Sequence, residues 1–174
     1  MNVDNSVDKS FALRKTLAEY IDSASSRMKS ELKLGSNGIC AFKHDKSGME
    51  FAIELPEDSD IVYFYSPICR VPYDFTEHFF EKLLENNLHG VANNQASFGL
   101  DKKTQSIVLS YSIPIYHLDT VAFENILFNF ITTAEKAARN TMKWLDEIVA
   151  KHTFSGKKAE GAANEVSEKI SMRA

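Results

Sequence analysis

Between Ser106 and Thr141 the apolar residues change their spacing, and the change falls at Pro114. Before the proline, Ile107, Leu109, Tyr111 and Ile113 occupy every second position, while Ser106, Ser110 and Ser112 take the other face. That is the period of a strand with one side covered. After it, Phe123, Leu127, Phe130, Ala134, Ala137 and Thr141 recur at three- and four-residue intervals, the stripe of a helix lying on a core. Proline fits at the end of a strand and breaks a helix interior, so it separates the two periods. Asn94 to Glu135 therefore reads as a short strand, a polar turn at Asp101 to Gln105, an alternating strand and the start of a long amphipathic helix.

Upstream, Ser10 is suited to cap a helix carrying Leu13, Leu17, Tyr20 and Ile21 on one stripe, with an end between Asp22 and Leu34, before Gly35-Ser36-Asn37-Gly38. Three strands are expected at Ile39 to His44, Met49 to Leu55 and Asp60 to Ser66, divided by the turns Asp45-Lys46-Ser47-Gly48 and Pro56-Glu57-Asp58-Ser59. The second alternates strictly, with Met49, Phe51, Ile53 and Leu55 opposite Glu50 and Glu54. The third, Ile61-Val62-Tyr63-Phe64-Tyr65, is apolar on both faces, which fits a central buried strand or one whose second face is kept for a partner. Pro72-Tyr73-Asp74, with Glu77 three residues on, forms a capping-box pattern ahead of Phe75, Phe79, Leu83 and Leu84, and Gly90 stops that helix. The last helix starts at Asp119 or Thr120 and runs to about Val149. The order is α-β-β-β-α-β-β-α, an α+β fold with helices against an antiparallel sheet. Residues 1–150 make one domain, and 151–174 a polar, flexible tail with at most marginal helix.

A chain of 174 residues with a net charge of -4 lacks the basic face that a nucleic-acid binder needs, and Lys102-Lys103 and Lys157-Lys158 read as solvated charge. No segment is long and apolar enough to span a bilayer, and the polar, acidic N-terminus is unlike a signal peptide. Cys40 and Cys69 lack metal-ligand spacing and suit reduced core thiols in a reducing cytoplasm. His44, His78, His89, His117 and His152 have neither zinc spacing nor an adjacent nucleophile, and there is no phosphate-binding glycine loop, so no catalytic residue, metal or cofactor is expected. Twelve Phe and six Tyr exceed what catalysis would require, which points to a protein partner or to a core that simply uses them.

Ala96-Ser97-Phe98-Gly99-Leu100-Asp101, Ile107-Val108-Leu109-Ser110-Tyr111, Ile113-Pro114-Ile115, Leu118-Asp119, and Phe123, Leu127, Phe130 and Ala134-Glu135 follow one another in a recognisable layout. Together with Gly38-Ile39-Cys40-Ala41-Phe42 and Phe79 to Leu88, they give residues 11–144 a pattern that resembles the class I type III secretion chaperones, the Tir chaperone family. The chain departs from that family in its added tail and in Ala137-Ala138-Arg139, where members often carry a tryptophan beside an arginine. The resemblance implies a bacterial cytoplasmic homodimer that binds the N-terminal region of one or more secreted effectors and hands them to the export apparatus, with the secretion ATPase as a further partner. A regulatory domain of the same fold, acting on a transcription factor or sensor, is the alternative. An effector segment can add to a sheet edge and bury alternate side chains. Leu17, Tyr20, Ile39, Ala41, Met49, Phe51 and Ile53 are the candidate effector-facing residues, and Phe79, Leu83, Ile107, Leu109 and Tyr111 the candidate dimer interface; each also fits a core position.

Overall fold

The structure, a computed structural model, describes residues 3–72, 76–88 and 94–171, with side chains placed for 9–72, 77–88 and 94–151. Helix α1 spans Val3–Met28, strands β1, β2 and β3 span Ile39–Lys43, Glu50–Glu54 and Ile61–Arg70, and helix α2 spans Thr76–Asn87. Strands β4 and β5 cover Ser97–Asp101 and Ser106–Pro114, a 3-10 turn covers Ile115–His117, and helix α3 runs over Thr120–Ser171. The expected element order holds, and the five strands form one antiparallel sheet in the order β1-β2-β3-β5-β4.

Several boundaries differ from the sequence expectation for local physical reasons. Helix α1 begins seven residues before Ser10, so Ser10 lies inside it and caps nothing. The serines that lower helix propensity near its end have partners: Ser23 donates to Glu124 at 2.7 Å and Ser26 to the Asp22 carbonyl at 3.0 Å. Helix α1 then closes with Lys29 in the left-handed region, φ 54°, and the Ser30 N–H returning to the Ser25 carbonyl at 3.2 Å, a Schellman arrangement. Strand β3 outruns its expected end at Ser66 by four residues. Its pairing with β2 stops at Tyr65, so Pro67 sits where that side is an open edge and its missing N–H costs no ladder bond. Asp119 caps α3 by accepting the Ala122 N–H at 2.7 Å. Helix α3 continues past Val149, because alanine, lysine and glutamate favour helix even where apolar spacing is lost. The capping box at Tyr73 to Phe75 and the stop at Gly90 lie outside the described residues.

All described packing on the sheet comes from one side. Phe51, Ile53, Val62, Phe64, Ile107 and Leu109 are buried on the inner face. Helix α3 lays Phe123 and Phe130 across them: Phe64 meets the two rings at 5.8 and 5.9 Å, and Phe51 meets Phe130 edge-on at 6.2 Å. Helix α1 adds Leu17, Ile21 and Ala24 to the same core, and the Tyr20 hydroxyl donates to the Leu118 carbonyl at 3.0 Å. Arg27 ties the two helices together, pairing with Glu124 at 2.6 Å while its guanidinium lies 4.9 Å from the centre of the Phe128 ring. Cys40 is buried and Cys69 half-buried, both as free thiols, and burial pushes the Cys69 thiol up to about 11.

Phe64 is the central ring of this packing, so Phe64→Ala should lower unfolding stability by about 3–5 kcal/mol, read from urea midpoints. The hydrogen bonds from Arg27 and Ser23 hold the Glu124 carboxyl below its ordinary range. A depressed carboxyl stabilises the fold above its unfolded value, and that contribution disappears as pH falls through the folded value. Glu124→Gln should therefore be less stable than the native chain at neutral pH, and the two should converge in acid when midpoints are compared across pH.

Candidate protein-binding site

The two edges of the sheet are finished differently. In β1, the Gly38–Leu55 and His44–Met49 bonds set the alternation, so Cys40 and Phe42 face β2 while Ile39, Ala41 and Lys43 turn their backbone groups outward. The preceding loop satisfies Ile39: its N–H donates to Asn37 Oδ1 at 3.2 Å and its carbonyl accepts from the Gly35 N–H at 2.8 Å. Gly38 makes this close turn possible, with φ 79° and with its absent Cβ position only 2.5 Å from the Leu55 carbonyl oxygen. Ala41 and Lys43 are left as an open edge among the described residues. On β4, by contrast, the Asn87 amide occupies both outward groups of Phe98, accepting its N–H at 2.8 Å and donating to its carbonyl at 3.0 Å. One side chain thus imitates a neighbouring strand and blocks the middle of that edge.

The outer face of the sheet carries Ala41, Ala52, Tyr63, Tyr65, Pro67, Val108 and Ser110, and no described helix covers it. Tyr63 and Tyr65 stack at 5.9 Å, and Tyr65, Pro67, Leu100 and Val108 line a shallow, mainly apolar depression of about 470 Å³. Burial and the adjacent Glu54 carboxylate push the Tyr65 phenol up to about 12, so it remains a hydrogen-bond donor throughout the ordinary pH range. Leu84 on helix α2 and Leu88 just after it are exposed at 67% and 75%, large apolar side chains that the core does not use.

Of the residues expected to face an effector, Leu17, Phe51 and Ile53 are buried against α3 and present no side chain to a partner in the single chain. Tyr20, Ile39 and Met49 are half-buried and Ala41 is exposed. Of the expected dimer residues, Phe79, Leu83, Ile107 and Leu109 lie in the core and Tyr111 is half-buried on the inner face. The outward parity of β5 belongs instead to Val108, Ser110 and Ser112, and the exposed apolar positions at α2 are Leu84 and, just past its end, Leu88. The double-sided apolar pattern of β3 is the signal that marks Tyr63 and Tyr65, whereas Asn87 has none, because its role depends on a strand that follows ten residues later.

Among the described residues the histidines do not converge on a reactive group. His44 Nδ1 lies 3.0 Å from Ser47 Oγ and 3.1 Å from Glu135 Oε1, joining the β1–β2 turn to α3, while His78 pairs with Glu81 at 3.3 Å on the exposed side of α2. Among the described residues no group of three or more His, Cys, Asp or Glu could hold a metal ion, and no helix is long and apolar enough to cross a membrane.

Three solved structures similar to this fold come from protein complexes. A chain of the ExsC-ExsE complex superposes with a TM-score of 0.58 at 21% identity, covering 75% of this chain and 93% of its own. A chain of the HopA1-SchA chaperone-effector complex gives 0.59 at 15% identity, covering 75% and 95%. A chain of the heterodimeric ExoU-SpcU complex from the type III secretion system of Pseudomonas aeruginosa gives 0.55 at 14%, covering 71% and 95%. Comparison with curated protein sequences finds no significant match. The family model described as Tir chaperone protein (CesT) matches residues 13–138, which takes in most of α1, the whole sheet, α2 and the first part of α3. A one-sided antiparallel sheet with an open edge, carried on a sequence that matches this model along most of its length, places the chain in the Tir chaperone protein (CesT) family.

Proposed function

We propose that the chain is a bacterial cytoplasmic chaperone that binds a region near the N-terminus of one or more type III secretion effectors, keeps it extended and secretion-competent, and assists its delivery to the export apparatus, including the secretion ATPase. The observation that carries this reading is the family match over residues 13–138 on a fold whose β1 edge is open and whose β4 edge is blocked. An extended segment can take up the free N–H and carbonyl groups of Ala41 and Lys43, so its register is set by backbone bonds and its specificity by alternate side chains. Its inward side chains would fall beside Phe42, which stacks on Phe51 at 5.5 Å, and its outward ones beside Ala41. Ile39, Ala41, Met49 and Tyr20 are then contact residues, and Leu17, Phe51 and Ile53 support them from beneath.

Binding of this kind requires no catalysis, and the activity we assign is non-enzymatic. The working unit is residues 1–150, with 151–174 as an appended segment. We assign a homodimer, with the exposed Leu84 and Leu88 and the outward face of β5 as its contact, and Phe79, Leu83, Ile107, Leu109 and Tyr111 as the core that shapes that contact.

The free full chain should scatter light as twice its 19.6 kDa mass, and when purified from the bacterium that encodes it the chain should carry a secreted protein through that protein's N-terminal region, identified by mass spectrometry. A monomer, or a DNA-binding regulator in place of a secreted protein, would contradict the assignment.

A further inference from the structure

Where β1 ends, its open edge runs into a cleft between the β1–β2 turn and helix α3. The cleft has two lobes of about 310 and 460 Å³ that meet at His44, Lys46 and Phe128. Arg27 and Lys43 line the first lobe and Arg139 the second, so with Lys46 four permanent cations surround a half-buried aromatic ring. Two carboxylates line the same walls, Asp45 in the turn and Glu135 on α3. Glu135 is engaged by His44 at 3.1 Å, and Glu124, which faces Arg27 at 2.6 Å, lies outside the cleft lining. With Arg27 neutralised by Glu124, the lining keeps Lys43, Lys46 and Arg139 against Asp45 and Glu135, a local excess of one positive charge on a chain whose net charge is -4.

We infer that this cleft receives an acidic stretch of the bound effector segment, with an apolar side chain seated on Phe128 and carboxylates paired to Lys46 and Arg139. The inference rests on the strand-addition reading and gives it a chemistry. Lys43 belongs to both features: its outward backbone groups are part of the open edge and the residue borders the cleft, so a segment paired to β1 passes directly into it. The Arg27 guanidinium on the face of Phe128 makes that ring a floor with one charged side, suited to a segment that alternates apolar and anionic groups. Arg139 and Lys46 are exposed, so their attraction acts through water, orients the segment and weakens with salt.

The test uses the full chain and two synthetic peptides of equal length: one of Asp and Glu around a single Phe, the other with Lys at every acidic position. Titration followed by backbone amide NMR should show the acidic peptide shifting Lys43 to Ser47 and Phe128 to Arg139, and the basic peptide shifting neither. The double variant Lys46→Glu, Arg139→Glu should weaken acidic-peptide binding by about tenfold or more, and raised salt should weaken it in the native chain. Charge reversal on the β4–β5 turn, Lys102→Glu with Lys103→Glu, should leave it unchanged. Equal binding of both peptides, shifts confined to the outer sheet face, or an unaffected double variant would overturn the inference. So would loss of the dimer in that double variant, which would make the cleft a contact between copies. The two readings separate on an identified effector. If Ala41→Pro abolishes capture and the double variant does not alter it, the chaperone reading stands and the cleft inference falls. If the acidic peptide binds in the cleft and no secreted protein is ever carried, the cleft stands and the chaperone reading falls.

Discussion

The aromatic seam between Phe64 on β3 and Phe123 and Phe130 on α3 is the contact on which the rest of the molecule depends. It joins the central strand to the longest helix, and its neighbours follow from it: Phe51 meets Phe130, Tyr20 meets Phe123, and α1 is drawn onto α3. Because strand side chains alternate, committing Val62, Phe64 and Ser66 to this seam commits Tyr63, Tyr65 and Pro67 to the opposite face. The core and the uncovered surface are therefore two consequences of one register.

That division gives the fold its means of recognition. A sheet packed on one side keeps a second face and two edges, and exposed edges attract other strands unless they are managed. Here the management is unequal. Asn87 fills the backbone sites of Phe98 on β4, and the Asn37 loop fills those of Ile39, but Ala41 and Lys43 remain open next to a cleft of positive sign. One short edge is thus left available to an extended chain, and its surroundings favour some sequences over others. The tenability of a binding reading without catalysis comes from this arrangement as much as from family membership.

The sequence made the element order and the inward parity of most strands legible, because burial in a one-sided sheet imposes strict alternation, as at Phe51 and Ile53, Ile107 and Leu109. It could not separate core from contact among those same residues. The apolar positions most visible in the pattern, Leu17, Phe51, Ile53, Phe79 and Leu109, are the ones the core consumes, and the outward surface falls to their less conspicuous neighbours. Boundaries failed where a helix extends beyond its apolar stripe, as before Ser10 and past Val149, or where pairing ends before the strand does, as at Pro67. Asn87 and the Arg27, Lys46 and Arg139 cluster had no signal at all, since each depends on segments distant in sequence brought together by the fold.

The central claim is that an extended partner is captured at the β1 edge, and amide hydrogen exchange on the chain with and without its copurified secreted protein tests it most directly. Outward-facing amides on an open edge exchange freely, and strand addition buries them in new hydrogen bonds. The account predicts that Ala41 and Lys43 become protected on binding while Phe98, already bonded to Asn87, changes little. Protection that appears along β4, or on neither edge, would contradict it.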